Sequence, residues 1–251
     1  MARYQVILSY DGTDFHGFQR QGNDRTVQLE VENTLRRMGW QGRSILAAGR
    51  TDTGVHASGQ VIAFDLDWAH SNETLAKALT AFLPPDIGVH SVRQAPDNFH
   101  PRFEACKRSY RYRVYFKPLR DPLQDRFAWR FWPKLDSRLL EEAAGVFIGE
   151  HNFAAFGSPM KPGGNTVRTV YVSEWCFQGE HWSYRIVANA FLYRMVRRVV
   201  FAQVKYAEGR LPLEQLVQAV QNMAAVPAGL APSNGLDLFE VDFCKQMPGL
   251  A

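Results

Sequence analysis

One segment near the middle of the chain constrains the fold most, because its side chains alternate between two chemistries with a period of two. In residues 104–116 one set of alternate positions is polar or basic: Lys107, Ser109, Arg111 and Arg113. The other set is aromatic or apolar: Tyr110, Tyr112, Val114 and Phe116. Successive side chains of a strand point to opposite faces of a sheet. The segment therefore predicts a strand with one basic face and one apolar face.

Turn residues and hydrophobic periodicity divide the rest of the chain into short elements. Further strands are expected at residues 4–10, 45–48, 60–66, 87–93, 169–177, 182–188 and 238–243. Helices are expected at residues 27–38, 73–82, 137–147, 191–206 and 213–223. Thr26 is the expected N-cap of the first helix, Pro84 ends the second, and a hairpin turn is expected at residues 178–180.

The order of these elements favours an α+β fold. Each half of the chain begins as strand, helix, strand, strand, without the regular strand and helix alternation of a doubly wound fold. We therefore expect mostly antiparallel sheets. The expected division is an N-terminal half of residues 1–103 and a C-terminal half of residues 104–251.

Composition excludes several classes of protein. The chain has 251 residues, of which 46% are hydrophobic and 22% charged, so it is neither fibrous nor unfolded. No window approaches the roughly 18 apolar residues of a membrane span, and the start lacks a signal-peptide core, so we expect a cytoplasmic protein. Cys106, Cys176 and Cys244 fit neither a disulfide framework nor a CxxC zinc site. We interpret them as small core or surface residues.

Positive charge is concentrated in the middle of the chain. The formal net charge is +4, but residues 101–200 carry 17 basic and 9 acidic side chains. Of the 29 basic residues 22 are arginine, whose planar guanidinium suits phosphates and base edges better than the lysine ammonium. A polyanionic partner is one interpretation, and an ordinary solvated arginine surface is the other.

The signatures of several enzyme classes are absent from the sequence. It contains no GxGxxG, GxxxxGK[ST], HExxH, GxSxG or paired CxxC motif, and no deaminase signature of HxE with PCxxC. Dinucleotide binding, P-loop hydrolysis, zinc proteolysis and esterase chemistry therefore lack their usual motifs. We expect any catalysis to need neither a metal nor an organic cofactor.

A polar loop at residues 48–57, AGRTDTGVHA, carries the strongest candidate for chemistry. Asp52 lies between Arg50 and His56, and the glycines of the loop allow the backbone to approach a ligand closely. An Asp followed by Thr-Gly is commonly a turn or cap residue. The functional alternative is a carboxylate nucleophile that Arg50 or another cation keeps ionised. Local composition leaves both interpretations open.

The longer segment AGRTDTGVHASGQV at residues 48–61 resembles the catalytic signature of the TruA family of tRNA pseudouridine synthases. Further segments resemble the same family in the same order: YDGTDFHGFQRQ at 10–21, FHPRF at 99–103, KRSYRYRVY at 107–115, GEHNFAAF at 149–156, NAFLYRMVRR at 189–198 and GLDLFEVDF at 235–243. The resemblance covers nearly the whole chain and favours the catalytic interpretation of Asp52.

The resemblance implies a fold and an activity. Family members are homodimers whose chains have two pseudo-symmetric α+β halves, joined into one continuous sheet flanked by helices, with a basic cleft. They isomerise uridine to pseudouridine without a cofactor, in the anticodon stem-loop of tRNA at positions 38, 39 and 40, just 3′ of the anticodon. The expected partners are therefore tRNA and a second copy of the chain, with no membrane.

The resemblance also implies catalytic roles. The Asp of the GRTD signature corresponds to Asp52, which would attack either C6 of the uracil or C1′ of the ribose. The first Tyr of the YRY motif corresponds to Tyr110, expected against the target base. The alternative is a core position, which is expected rather for the neighbouring Tyr112. The Arg of the NAFLYRMVR motif corresponds to Arg197. With Arg50 it is expected to flank Asp52 and to lower the pKa of that carboxyl.

Other residues are expected to support the cleft or to bind RNA. His56, His100 and Arg102 are assigned to the cleft, where they hold the loop or contact phosphates. The best candidates for phosphate contacts are Lys107, Arg108, Arg111, Arg113, Arg194 and Arg198. A solvated sheet edge or helix face would show the same pattern. Phe15 and Phe18 are expected to pack rather than to stack on bases.

One segment departs from the family pattern. After MVRR the family continues with a small glycine-containing stretch, whereas this chain has Val200-Phe201-Ala202-Gln203, so we expect different packing of this helix. Two functional alternatives remain: a non-catalytic RNA-binding module, and a pseudouridine synthase that acts on another RNA position. Binding alone would not require Asp52 with Arg50 and Arg197.

Overall fold

A computed structural model describes residues 1–221 and 224–244. In chain order the elements are β1 (Ala2–Tyr10), α1 (Val27–Arg37), β2 (Leu46–Ala47), β3 (His56–Leu66), α2 (Asn72–Phe82), β4 (Ile87–Ala95), β5 (Ala105–Phe116), α3 (Pro122–Asp125), β6 (Trp129–Phe131), α4 (Ser137–Gly145), β7 (Gly149–Asn152), β8 (Val167–Gln178), β9 (His181–Ala188), α5 (Met195–Ala207), α6 (Leu213–Val220) and β10 (Leu236–Phe243). The mixed α+β class with mostly antiparallel sheet pairing is confirmed. Over the described ranges, no helix has the length and apolar character needed to cross a membrane.

The folded chain forms two compact units. The first contains Met1–Cys106 and the C-terminal segment from Leu238, and the second contains Lys107–Asp237. The chain passes between the units within β5 and again within β10. The expected domains of residues 1–103 and 104–251 stay a prediction, because compactness does not establish independent folding.

In the first unit, β1 pairs antiparallel with β3 on one side and with β4 on the other. The two-residue strand β2 pairs antiparallel with β3. Helix α1 begins where expected, because the Thr26 hydroxyl accepts a hydrogen bond from the backbone N–H of Leu29. Its buried stripe includes Val27, Val31 and Leu35, which are the positions that the helical spacing predicts.

In the second unit, β9 pairs antiparallel with both β5 and β8, and β8 pairs antiparallel with β7. The short strand β6 is the parallel neighbour of β5. The predicted alternation of β5 is confirmed, because Tyr112 and Val114 are buried whereas Arg111 and Arg113 are half-buried. The turn at residues 178–180 is confirmed as well, since it joins β8 to β9.

Helix α5 begins at Met195, so the expected start at residue 191 is wrong. The preceding residue, Arg194, has a left-handed backbone with φ 63°, which cannot continue a right-handed helix. Tyr193 is held outside the helix, because its backbone N–H donates to the carbonyl of Ser158 over 3.0 Å. Helix α6 ends at Val220, and residues 222–223 of the expected helix lie outside the described residues.

The interpretation of Cys106 and Cys244 as separate core or surface residues is wrong. They form a disulfide bond with Cα atoms 5.6 Å apart. Their sequence separation of 138 residues hides this proximity, which arises because Cys106 lies in β5 and Cys244 follows β10 directly. Cys176 is an exposed free cysteine, as a surface position predicts.

A buried hydrogen-bond chain joins α4 to strands β8 and β9. The Ser173 hydroxyl donates to the Ala144 carbonyl over 2.7 Å, and it lies 2.7 Å from the Tyr184 hydroxyl. Because Ser173 has a single hydroxyl proton, the Tyr184 hydroxyl is the donor in the second bond. Burial raises the pKa of Tyr184, so this donor keeps its proton at neutral and mildly alkaline pH.

We therefore predict that Tyr184→Phe lowers the free energy of unfolding by about 0.5–1.5 kcal/mol, the usual net value of one buried hydrogen bond. Urea denaturation at neutral and at mildly alkaline pH measures the loss, which should be the same at both. The matched control is Tyr171→Phe, because Tyr171 is exposed and should tolerate the change. Equal losses in the two variants would contradict the assigned role of the Tyr184 hydroxyl.

Candidate active site

The loop that carries Asp52 connects β2 to β3 and is fixed by backbone and side-chain hydrogen bonds. The side-chain amide of the fully buried Gln60 donates to the Gly49 carbonyl over 2.9 Å and accepts from the Gly49 N–H over 3.3 Å. At the next turn of the loop, the Tyr10 and Thr51 hydroxyls lie 2.8 Å apart within hydrogen-bonding distance. The loop therefore has a defined path without belonging to a helix or a strand.

The N-terminal segment of residues 10–18 lies directly against this loop. Phe18 donates its backbone N–H to the Thr51 carbonyl over 3.1 Å, and Gly54 donates to the Phe15 carbonyl over 3.3 Å. Phe15 and Phe18 are buried, which confirms that they pack in the core. The resemblance segment at residues 10–21 thus has a structural role, which is to support the loop.

The approach between these two segments requires glycine. A Cβ atom on Gly12 would lie 2.0 Å from the Val55 carbonyl oxygen, and one on Gly17 would lie 2.7 Å from the Thr51 carbonyl oxygen. Both obstacles are backbone atoms, which cannot rotate away. From the sequence alone, Asp11-Gly12 indicates only a turn after β1, because the loop that Gly12 contacts lies about forty residues later in the chain.

Asp52 itself lies in a tight turn with its side chain half-buried. The Val55 N–H donates to the Asp52 carbonyl over 3.1 Å, and Gly54 follows with a left-handed φ of 75°. This geometry agrees with the turn interpretation of an Asp-Thr-Gly sequence. It also leaves the carboxylate partly accessible, so a turn residue and a nucleophile are compatible descriptions of Asp52.

His56 is a buried part of the loop support. Its Nδ1 accepts a hydrogen bond from the Gly12 N–H over 3.0 Å, and Oδ1 of Asp11 lies 3.2 Å from the same nitrogen. Because Nδ1 is an acceptor, the neutral ring carries its proton on Nε2. Of the two roles expected for His56, this burial favours holding the loop over contacting a phosphate.

The charge of Arg102 acts on two other predicted site residues of the first unit, Arg50 and His100. The pKa of Arg50 is lowered by partial desolvation and by the nearby charge of Arg102. The pKa of His100 is lowered mainly by desolvation, with further contributions from Arg102 and Arg3. His100 is therefore neutral at pH 7, and Arg50 and Arg102 supply the charge. Like charges kept this close favour an anionic partner.

In the second unit, Tyr110 is only 9% exposed, and its ring meets that of Phe191 edge to face with centroids 4.9 Å apart. Phe191 supports it in a fixed orientation. Tyr112 is fully buried, and its hydroxyl donates to the Pro232 carbonyl over 2.8 Å. The core position expected for Tyr112 is therefore confirmed.

The basic side chains of β5 have partners within the second unit. Arg111 and Arg113 both contact the Asp237 carboxylate, at 2.8 and 3.1 Å, and Asp237 is 1% exposed. Arg108 donates to the Asn189 carbonyl over 3.0 Å, and the Lys107 ammonium lies 4.9 Å from the centre of the Tyr171 ring. Sequence reasoning missed Asp237, although the GLDLFEVDF segment contains it.

Helix α5 places three predicted arginines at its first turn. Arg194 is the exposed N-cap residue, and its guanidinium carbon lies 4.7 Å from the centre of the Tyr193 ring. Arg197 is half-buried, and its Nε donates to the Ala231 carbonyl over 2.8 Å. Arg198 lines a cavity of about 600 Å³ together with residues 225–230.

The unusual Phe201 contributes to this same region. A Cβ atom on Gly229 would lie 2.2 Å from the Phe201 ring, and Gly229 has a φ of 155° that other residues rarely adopt. Two residues later, the Ala231 N–H donates to the Arg197 carbonyl over 3.2 Å. The Phe201 ring occupies the space above Gly229, on the segment that leads to Ala231 and its contacts with Arg197. The difference in packing expected from the family pattern stays a prediction.

The two sets of side chains suit different tasks. The loop offers a half-buried carboxylate with nearby cations, and α5 with β5 offers arginines beside aromatic rings. Among the described residues, no group of three or more His, Cys, Asp or Glu side chains could hold a metal ion. A partly accessible carboxylate can act as a nucleophile, and arginines beside aromatic rings can bind an anionic, aromatic ligand.

Comparison with known proteins identifies relatives over the whole chain. The sequence model described as tRNA pseudouridine synthase matches residues 6–104 and 143–244. The tRNA pseudouridine synthase A of Pseudothermotoga lettingae is 42% identical over 248 residues, covering 97% of this chain and 100% of that protein. The protein of the same name from Methylacidiphilum infernorum is 40% identical over 242 residues, covering 96% and 95%.

We predict that Gly12→Ala displaces the Asp52 turn, because the new methyl group would overlap the Val55 carbonyl. The expected loss in the free energy of unfolding is about 1–3 kcal/mol, the usual cost of overpacking. Amide hydrogen exchange at Val55, whose N–H closes the turn, should accelerate. Gly145→Ala is the control, because a Cβ atom there meets nothing within 4 Å. Unchanged Val55 exchange in Gly12→Ala would refute the role of this contact.

Proposed function

Because the chain belongs to the tRNA pseudouridine synthase family, which isomerises uridine in tRNA, we propose that Asp52 is the nucleophile and that the target lies in the anticodon stem-loop. The observation that carries this proposal is the position of Asp52. It lies half-buried on a turn that the N-terminal segment fixes through Gly12 and Phe18. Such support holds the carboxylate in a fixed orientation, which a nucleophile needs.

The reaction exchanges one bond for another on the same ring. Asp52 attacks C6 of the uracil or C1′ of the ribose, and the bond between C1′ and N1 breaks. The uracil turns and a bond forms between C1′ and C5. The bond from Asp52 to C6 or C1′ breaks, which restores the carboxylate, and C5 loses its proton while N1 gains one. The detached ring must stay in place during this turn, so the pocket has to exclude water and close around the base.

The arginines and the tyrosine take separate roles in this proposal. Arg50 and Arg197 are the cations proposed to act on the Asp52 carboxylate, as the family resemblance implies. Tyr110 lies against the uracil and assists removal of the C5 proton. Within the second unit, the hydrogen bond from Arg197 Nε to the Ala231 carbonyl restricts the movement of the guanidinium.

Binding of the tRNA backbone must supply the energy that extracts the uridine from its stack, a few kcal/mol. The proposed phosphate contacts at the start of β5 and α5 are Lys107, Arg108 and Arg194. Further candidates are Arg198 in the second unit and Arg102 and His100 in the first. Arg111 and Arg113 carry two positive charges and pair with the single negative charge of Asp237. The one positive charge that remains contributes to phosphate binding. Binding should therefore weaken as salt rises.

We predict that Asp52→Asn abolishes tritium release from tRNA transcripts labelled at uridine C5, because only bond formation at C5 expels that hydrogen. The variant should still bind tRNA in a filter-binding assay. Asp67→Asn is the matched control, since the Asp67 side chain is 96% exposed and lies outside the loop. Release by Asp52→Asn at the wild-type rate would exclude Asp52 as the nucleophile.

The same assay separates the alternatives. A wild-type protein that binds several tRNAs without releasing tritium would be a binding module rather than a synthase. Mapping pseudouridine in the product tRNA locates the target. Modification outside the anticodon arm alone would support a synthase of another position and would overturn the proposed substrate region.

We also propose that the protein is a homodimer that acts in the cytoplasm, where its tRNA substrate is found. An apolar surface in the second unit supports the dimer: Leu119, Leu123 and Trp132 are 79%, 85% and 59% exposed within fourteen residues of chain. Clusters of this kind commonly mark sites of protein association.

We predict a dimer in sedimentation velocity at micromolar concentration, and its weakening by Leu123→Lys, which places a charge in this surface. Phe82→Lys is the control, because Phe82 is exposed on the first unit, away from residues 119–132 in the chain. A stable monomer would refute the dimer. A dimer that Leu123→Lys leaves intact would exclude this surface as the interface.

A further inference from the structure

The most exposed aromatic ring of the first unit lies beside residues of the candidate site. Phe103 is 76% exposed. In contrast, Phe99 of the same FHPRF segment is buried, and so are Phe15 and Phe18, which support the Asp52 loop. Leaving so much aromatic surface in water is unfavourable by the hydrophobic effect. Because single exposed aromatic rings are common on protein surfaces, the neighbours of the ring decide whether it can bind a ligand.

Phe103 is held in place although it is exposed. Its backbone N–H and that of Glu104 both donate to the His100 carbonyl over 3.1 Å. The His100 N–H donates to the Glu104 carboxylate over 2.7 Å, and the Arg102 N–H donates to His100 Nδ1 over 3.2 Å. These bonds fix the turn of residues 100–104, so binding on the Phe103 ring would cost little backbone ordering.

The surroundings of the ring match an unpaired nucleotide. The His100 ring lies 4.2 Å from the Phe103 ring between centroids, at an angle of 39°, and supports it from one side. The Arg102 guanidinium carbon lies 5.9 Å from the Phe103 ring centre. An aromatic ring beside an arginine is the common means by which proteins hold single nucleobases, with the base on the ring and the phosphate on the cation. The Glu104 carboxylate is nearby, but it is engaged by the His100 N–H.

We propose that Phe103 is a stacking platform for an unpaired nucleobase of the RNA substrate, with Arg102 on the adjoining phosphate. The site lies on the first unit and takes a base other than the uridine that is isomerised. Any of the four bases fits this chemistry, because each has an aromatic face. This inference rests on the proposed function, since it assumes that RNA is the ligand.

The test is the affinity for an unmodified tRNA transcript, measured by filter binding at several salt concentrations. Removing one base stack should raise Kd roughly 5- to 150-fold, so this increase is expected for Phe103→Ala. Phe103→Trp should restore wild-type affinity, and Phe103→Leu should resemble Phe103→Ala, because leucine is apolar but has no aromatic face.

The salt dependence separates stacking from charge. Phe103→Ala should leave the slope of log Kd against log salt unchanged, whereas Arg102→Gln should reduce it by about one phosphate contact. At saturating tRNA, Phe103→Ala should release tritium at nearly the wild-type rate, since a stack made equally before and during reaction affects KM and not kcat. The melting temperature should not change, because the ring is exposed.

Phe82→Ala is the matched control, an exposed phenylalanine in the same unit, and should bind as wild type does. The proposal is wrong if Phe103→Ala binds normally, if Phe103→Leu binds as tightly as wild type, or if Phe82→Ala weakens binding equally. It is also wrong if Phe103→Ala changes the sedimentation of the RNA-free protein, which would assign the ring to a contact between copies. These outcomes are independent of the test of the proposed function. If the wild-type protein releases tritium, the proposed function stands, and if it releases none, the proposed function is refuted.

Discussion

The position of the nucleophile candidate depends on one close contact between two backbones. Where Gly12 faces Val55, the segment after β1 and the turn of Asp52 approach so closely that a single methyl group would force them apart. Three hydrogen bonds join the two segments around this contact. They are made by the Tyr10 hydroxyl, the Phe18 N–H and the His56 ring. The loop is therefore rigid without regular secondary structure, which is the property that a precisely oriented carboxylate needs.

Arginine is used in two distinct ways in this chain. In the second unit, Asp237 draws Arg111 and Arg113 to one buried carboxylate, so part of their charge stabilises the fold. In the first unit, burial and the nearby charge of Arg102 lower the pKa of Arg50. Charges that repel one another in the folded chain are relieved by an anion, so this second arrangement favours association with phosphates.

Sequence patterns predicted the elements whose cause is local. The period-two alternation located β5, the Thr26 hydroxyl located the start of α1, and the paired prolines located the end of α2. The late start of α5 was missed, because it depends on the pairing of Tyr193 with Ser158, thirty-five residues away. The Cys106 bond and the Gly12 contact were missed for the same reason, since each joins distant parts of the chain. For the candidate site, the motifs identified the residues, and the structure added the hydrogen bonds and packing contacts that hold them. Their catalytic roles stay predictions.

The pairing of Phe201 with Gly229 has a consequence for how this sequence can change over time. While position 201 holds a phenylalanine, position 229 is closed to every side chain, because the ring already fills that volume. A lineage that replaces the glycine first passes through an intermediate in which the segment leading to Ala231, and with it the support of Arg197, is pushed out of place. If residue 201 becomes small first, the overlap disappears, and the backbone of residue 229, with its φ of 155°, is the obstacle that remains. Residues 201 and 229 are therefore coupled, so the effect of a substitution at one depends on the residue at the other.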